Sequence, residues 1–286
     1  RFVLARAEAM AAASPMPPIM VQRRPGSLSG QLVWDRSDGE AAAQIFVERS
    51  LLNHPRAKFI LQKFRLHNPI YINHYGEIFN KKNQNFRIQK AFPNLILANK
   101  ADGHVLNTPK EFGIGNIHNF YFSHMFNCLY DCDYCFLQGL YSSADFVLFV
   151  NYETFEKKIL EKIKQIDGQK ATFFSGYDCD SLGFESVSGF VKYFLPIFEQ
   201  NPNALLELRT KSLHKDVFSR TKPIENCVIA YSLLPDEIAR NLDRKAPSIP
   251  KRLKVMGHLA KKGWKIGLRF DPLIHGKDWK LMYSNL

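Results

Sequence analysis

With 286 residues, 45% apolar and 23% charged, the chain can bury one large core, or one domain plus an appendage, and its composition argues against a disordered chain. A formal net charge of +12 biases it towards polyanions such as nucleic acid or an anionic membrane surface, a well-solvated basic exterior being the plainer account. Five cysteines, an odd number with three inside eight residues, exclude a secreted disulfide scaffold and point to metal in a reducing compartment. No stretch approaches the ~18 apolar residues of a membrane span, so a cytoplasmic protein without a membrane partner is expected.

Residues 1–44 hold Ala- and Pro-rich pieces (AEAMAAASPMPP, then RRPGSLSGQ) without a clean signal-peptide core, and read as a low-complexity or disordered extension. An N-terminal lead-in region follows over 45–115. There, Ile60, Leu61 and Phe64 at i, i+1 and i+4 after Pro55 predict a short helix, and residues from 69 onwards read as short strands and loops. The main domain is expected over 116–286. An apolar run, NFYFSHMF, precedes the clustered cysteines, and YETFEKKILEKIKQI places Phe155, Ile159, Leu160 and Ile163 on one helical face. ATFFSG reads as a strand and SVSGFVKYFLPIFEQ as a helix disturbed at Pro196. ALLELRTKS, CVIAYSLL and WKIGLRFDPLIH read as strands, the last two separated by a helix with Pro250 in its first turn and Gly263 at its end. Strands alternating with helices imply βαβ units and a parallel sheet. The fold class is therefore α/β, a partial (β/α) barrel, with a doubly wound open sheet as runner-up.

Side chains alternate along a strand, so Glu207, Arg209 and Lys211 share one face, as do Lys265, Gly267, Arg269 and Asp271. A polar face on two strands suits a barrel enclosing a charged ligand; a solvated sheet face is the alternative. Lys251, Arg252, Lys254, Lys261 and Lys262 crowd one helix; contact with DNA is one reading, and a solvated helix face is the more common explanation. Cys227 opens an apolar strand and reads as core.

Cys128, Cys132 and Cys135 form C-x3-C-x2-C in FNCLYDCDYCFLQ. Three thiolates can hold three irons of a [4Fe–4S] cluster and leave the fourth open to an exogenous ligand. Structural zinc would want a fourth ligand; His118 and His124 are nearby but are not spaced as a second pair. The spacing, with Tyr134 just before the last cysteine, resembles that of the radical S-adenosylmethionine (SAM) superfamily, in which SAM takes the open iron through its amino and carboxylate groups.

The run CLYDCDYCFLQGLYSSADFVLFVNYE, then LELRTKS, VIAYSL, AKKGW and FDPLIHGKDW, and upstream IFVERSLLNHPRAKFILQKF, resemble the spore photoproduct lyase family over about residues 45–286. The resemblance stops before that family's last strand, so a partial barrel of the radical SAM type truncated at its C-terminus is expected. It implies a radical SAM carbon–carbon lyase that repairs a thymine dimer of spore DNA, with DNA and an electron donor such as a flavodoxin or ferredoxin as partners. It places SAM against Tyr134, Cys179, Asp180, Lys211 and Ser232, and sets Asp271 where the family has a small residue. In the family an adenosyl radical abstracts hydrogen from the lesion and a cysteine returns it. Tyr177 stands at that cysteine's position here, with Cys179 two residues on, so these two are the candidate hydrogen donors. Both point the same way if the segment stays extended. Phe136 replaces the family's tyrosine after the last cluster cysteine. These departures open a second reading, a radical SAM enzyme with a non-DNA substrate; a zinc-dependent nucleic-acid-binding protein without catalysis is the third.

Overall fold

Strands of two to seven residues, most of them rich in apolar and β-branched side chains, build two largely parallel sheets in the computed structural model, which describes residues 44–64, 68–110 and 112–286. Apart from residue 44, the expected N-terminal extension lies outside the described residues. In chain order the strands are β1 (Ile45–Glu48), β2 (Ile70–Ile72), β3 (Leu95–Ala98), β4 (Leu106–Asn107), β5 (His118–Phe122) and β6 (Met125–Phe126). Then come β7 (Phe146–Phe149), β8 (Ala171–Ser175), β9 (Ala204–Thr210), β10 (Cys227–Ser232) and β11 (Lys265–Arg269). The longer helices are α1 (Pro55–Lys63), α2 (Tyr152–Gln165), α3 (Phe190–Glu199) and α4 (Ile249–Lys261).

The larger sheet runs β11-β10-β9-β8-β5-β4, parallel throughout except for the β4 edge. Its parallel strands follow chain order in one direction. A doubly wound sheet would reverse at a switch point; a singly wound run with right-handed crossovers keeps its helices on one side, as a barrel does. The α/β partial barrel is therefore the observed architecture. The smaller sheet runs β2-β1-β3-β7-β6 and draws β7 from the segment after the cysteines, so β3 and β7 pair across the two expected regions. Its strands β1, β3 and β7 are buried on both faces. Phe46, Ile96, Val147 and Phe149 join the main phenylalanine-rich core, while Ile45, Val47, Leu97 and Leu148 join a second cluster under α1.

Local chemistry explains the helix ends. In α1, Pro55 occupies the first turn and the His54 ring accepts from the Arg56 N–H at 3.2 Å. In α2, Glu153 lies in the first turn and Lys162 and Lys164 in the last, matching the helix dipole. Pro196 does not disturb its helix as expected. The helix runs through it to Glu199, because Phe190, Val191, Phe194, Leu195, Ile197 and Phe198 are all buried and outweigh one missing N–H. The break falls instead at Gly189, with φ +60°.

Candidate functional site

The cysteines sit on a loop whose two ends are stitched together. β6 and β7 pair antiparallel, Met125 with Leu148 and Phe126 with Val147, and enclose residues 127–145. Asn127, at φ +66°, donates from its side chain to the carbonyls of Ser143 (2.8 Å) and Asp145 (2.7 Å). Asp145 in turn accepts from the Asn94 backbone N–H at 2.8 Å, tying the loop to the start of β3. Within it, the Cys135 N–H donates to the Cys132 carbonyl at 3.0 Å.

A short strap, Leu242–Lys245, lies along the outside of this loop. The N–H groups of Asp131 and Asp133 donate to the carbonyls of Arg244 and Leu242, each at 2.9 Å. Arg244 pairs with Asp133 at 2.8 Å, and Lys245 donates to the Lys90 carbonyl at 2.8 Å. The buried Lys90 ammonium donates to the carbonyls of Cys128 (3.1 Å) and Tyr130 (3.4 Å). The cysteine run is therefore held from Cys128 to Asp133 by bonds from outside the loop.

Lys211, one residue past β9, is the electrostatic centre. Its ammonium donates to Cys132 Sγ at 3.0 Å, to Asp243 Oδ1 at 2.7 Å and to the Tyr134 hydroxyl, and lies 4.7 Å from the Tyr134 ring centroid. Tyr134 donates its own proton to Asp243. Arg252, with no exposed surface, donates to Asp243 Oδ2 at 2.7 Å, to the Ser232 carbonyl at 2.9 Å and to the Pro247 carbonyl at 2.8 Å. Burial alone would lower Lys211, but Cys132 and Asp243 outweigh it and hold the ammonium above its ordinary value. Asp243 is pushed up by burial, yet Lys211 and Arg252 bring it below the usual carboxylate range.

The cysteines fit an iron–sulfur cluster on the chemistry of their donor set. All three are soft thiols on one pinned loop, near enough that each ionised thiol would raise its neighbours. Burial lifts the Cys132 thiol to about 11, against the pull of Lys211, and lifts Cys128 and Cys135 as well, so ligation must displace their protons. Among the described residues no three His, Cys, Asp or Glu side chains converge on a single ion. Cubane ligation asks for no such convergence, because each thiolate meets its own iron. Neither histidine weighed as a zinc ligand reaches the loop. His124 is fully buried, stacked on Phe190 with centroids 4.0 Å apart, and burial holds its pKa down to about 3. His118 opens β5 at the far end of the sheet and pairs with Gln169 at 3.1 Å.

The other candidate residues are placed as follows. Asp180 is buried and accepts from Thr210 Oγ1 (2.7 Å), the Leu182 N–H (2.9 Å) and the Lys211 N–H (2.7 Å), fastening the loop after β8 to the end of β9. Ser232 ends β10 beside Arg252. Tyr177 and Cys179 do not point the same way, because the segment does not stay extended. Gly176 has φ +78°, and a Cβ there would lie 2.5 Å from Ser181 Oγ and 2.9 Å from its backbone N. The chain turns, so Tyr177 joins Tyr121, Phe112 and Phe136 at centroid distances of 4.5, 6.2 and 5.7 Å. Cys179 instead packs into the second apolar cluster with Phe184 and Leu148. The polar strand face is built largely as expected. Glu207 is 1% exposed and takes a bidentate Arg269, Arg209 lies 3.6 Å from Glu207 and 3.7 Å from Asp271, and Arg209 Nη2 is buried without a partner. Lys265, at the exposed start of β11, pairs with Glu225.

Two residues of the site escaped the sequence reading. Asp243 carries no local signal in NLDRK. Arg252 did carry one: it falls on the apolar stripe Ile249, Val255, Met256 and Leu259, yet was assigned to a solvated basic face, and the structure corrects that assignment.

The arrangement has counterparts among known proteins. A double mutant of spore photoproduct lyase with bound AdoMet and dinucleoside spore photoproduct matches with a TM-score of 0.74 at 17% identity, over 85% of this chain and 71% of that one. Spore photoproduct lyase complexed with dinucleoside spore photoproduct matches with a TM-score of 0.72 at 16% identity over the same shares. These likenesses show the fold. The spore photoproduct lyase of Bacillus subtilis (strain 168) is 23% identical over 164 residues, 56% of this chain and 47% of that protein, so the match spans about half of that relative's length. The family model for spore photoproduct lyase matches residues 120–286, which takes in the cysteine loop, Lys211 and the strap. With more than half of its length inside that match, the chain belongs to the spore photoproduct lyase family.

Proposed function

We propose that this chain is a radical SAM enzyme acting on pyrimidine photolesions in DNA as a carbon–carbon lyase. Cys128, Cys132 and Cys135 would hold a [4Fe–4S] cluster, and Tyr134, Cys179, Asp180, Lys211 and Ser232 would surround SAM. The observation that carries the reading is the pinned three-cysteine loop with the Lys211 ammonium 3.0 Å from Cys132. When bound and reduced, the cluster and SAM supply a 5′-deoxyadenosyl radical, the hydrogen-abstracting agent that the protein alone lacks. The chain's own contribution is placement. Lys211 offers a fixed cation to the carboxylate of SAM. The aromatic group around Tyr177 offers flat faces on which a base can stack once it leaves the duplex.

Of the two candidate hydrogen donors, Tyr177 is the better placed. It is half-buried among the ring faces beside Phe136, whereas Cys179 is 7% exposed inside an apolar cluster. Tyr177, at the position where the family has a cysteine, also favours the second reading, a radical SAM enzyme with a non-DNA substrate. The net charge of +12 favours DNA, through counterion release on phosphate contact. An electron donor such as a flavodoxin or ferredoxin and a cytoplasmic setting complete the proposal. Among the described residues no helix is long and apolar enough to cross a membrane.

Anaerobic reconstitution with iron and sulfide, then electron paramagnetic resonance of the reduced protein with and without SAM, tests the cofactor assignment. A [4Fe–4S]⁺ signal that shifts with SAM is expected; no cluster, or one indifferent to SAM, refutes it. Incubating the reduced enzyme with SAM and ultraviolet-damaged oligonucleotide tests the substrate, and intact lesion under conditions that cleave SAM would move the substrate away from DNA.

A further inference from the structure

Lysine has three N–H donors, and all three of Lys211 are engaged, by Asp243, Tyr134 and Cys132. Asp243 and Tyr134 are also bonded to each other, so two of the three donors are locked into a closed triangle. The donors on Cys132 and Tyr134 both reach the cysteine loop, and the one on Cys132 is the donor outside the triangle. Asp243 is itself braced from behind by Arg252, whose remaining bonds go to backbone carbonyls and fix the guanidinium in place.

Two buried cations, Lys211 and Arg252, share the carboxylate of Asp243, one on each oxygen. A buried ammonium is costly to leave unpaired, so Asp243 both stabilises Lys211 and fixes where its ammonium sits.

We infer that Asp243, braced by Arg252, is a positioning residue that aims the third N–H of Lys211 at the carboxylate of bound SAM. The inference rests on the radical SAM reading above. It requires Asp243 to act through Lys211, which separates it from a residue that merely secures the strap.

The test is equilibrium binding of SAM to anaerobically reconstituted full-length protein, with iron per chain measured alongside, for the unaltered chain, D243N, D243E, K211M and the double variants D243N/K211M and D243E/K211M. Expected are a loss of SAM affinity of about tenfold in D243N with iron content unchanged, a smaller loss of about threefold in D243E, and no further loss when either change is added to K211M. SAM affinity unaltered in D243N overturns the inference. So does a D243N loss that is just as large in the K211M background, or a D243N protein that no longer takes up iron. If D243N does not fold, D243E carries the test: its loss must vanish on K211M, and a loss equal in both backgrounds, or none at all, overturns the inference. Failure of the unaltered chain to take up a cluster or respond to SAM would instead sink the cofactor assignment, so the two failures are distinct.

Discussion

Glu185 should make the stability of this protein fall as pH rises through neutrality. Its carboxylate is 7% exposed and accepts from the Val191 N–H at 2.9 Å, capping α3 across the Gly189 break. Burial outweighs that bond and its backbone neighbours, lifting the pKa to about 7 from 4.5. A folded-state pKa above the unfolded one means that the folded chain binds the proton more tightly. The resulting stability is fully present below about pH 4.5 and is lost as pH rises through about 7. Full ionisation costs about 3 kcal/mol, most of it between pH 5 and pH 8. Glu185→Gln keeps an acceptor for Val191 but never ionises. Urea denaturation followed by tryptophan fluorescence, at pH 5, 6, 7 and 8, should show the variant gaining about 2 to 3 kcal/mol on the unaltered chain across that range. A difference that stays flat within about 1 kcal/mol would refute the reasoning, because Glu185 would then titrate like an exposed carboxyl.

Three further outcomes are expected. Arg252→Met should cost about 3 to 5 kcal/mol by urea denaturation, since it strips a partner from buried Asp243 and two carbonyls, whereas exposed Lys254→Met on the same helix should stay within about 0.5 kcal/mol. Gly176→Ala should lower stability by about 2 kcal/mol or more, from left-handed backbone plus collision with Ser181, while Gly189→Ala, left-handed but with open space around it, should cost about 1 kcal/mol; thermal melts of both variants check the contrast. Replacing any one of Cys128, Cys132 and Cys135 by Ala should abolish cluster uptake, measured as iron per chain, and Cys227→Ala, in the core of β10, should leave it unchanged.

What the sequence disclosed depended on how local each cause was. β8 and β10 are short, mostly apolar runs and β9 alternates apolar with polar residues, so their strand character is written in adjacent residues. The cysteine spacing is equally local. Asp243 is the opposite case: its partners Lys211 and Tyr134 lie 32 and 109 residues away, so only the folded chain declares it. Tyr177 and Cys179 look alike in strand parity until one positive φ at Gly176 sends them into different neighbourhoods. Arg252 shows a weakness in reading charge ahead of phase. Its helical position was apolar, and a guanidinium with three bonded acceptors can occupy such a position. β7 was hidden differently: Phe146–Phe149 lies inside the barrel segment but is recruited by an upstream sheet, which no periodicity reveals.

That recruitment sets an order of events during synthesis. β1 gains its neighbour β3 only when residues 95–98 have been made, and the far side of β3 stays bare until residues 146–149 emerge. The cysteines are translated within that interval. A nascent chain paused there displays an unpaired, fully apolar strand edge, the kind of surface that recruits other chains. Aggregation during expression would therefore originate in the time taken to reach β7, before metal delivery has any part to play.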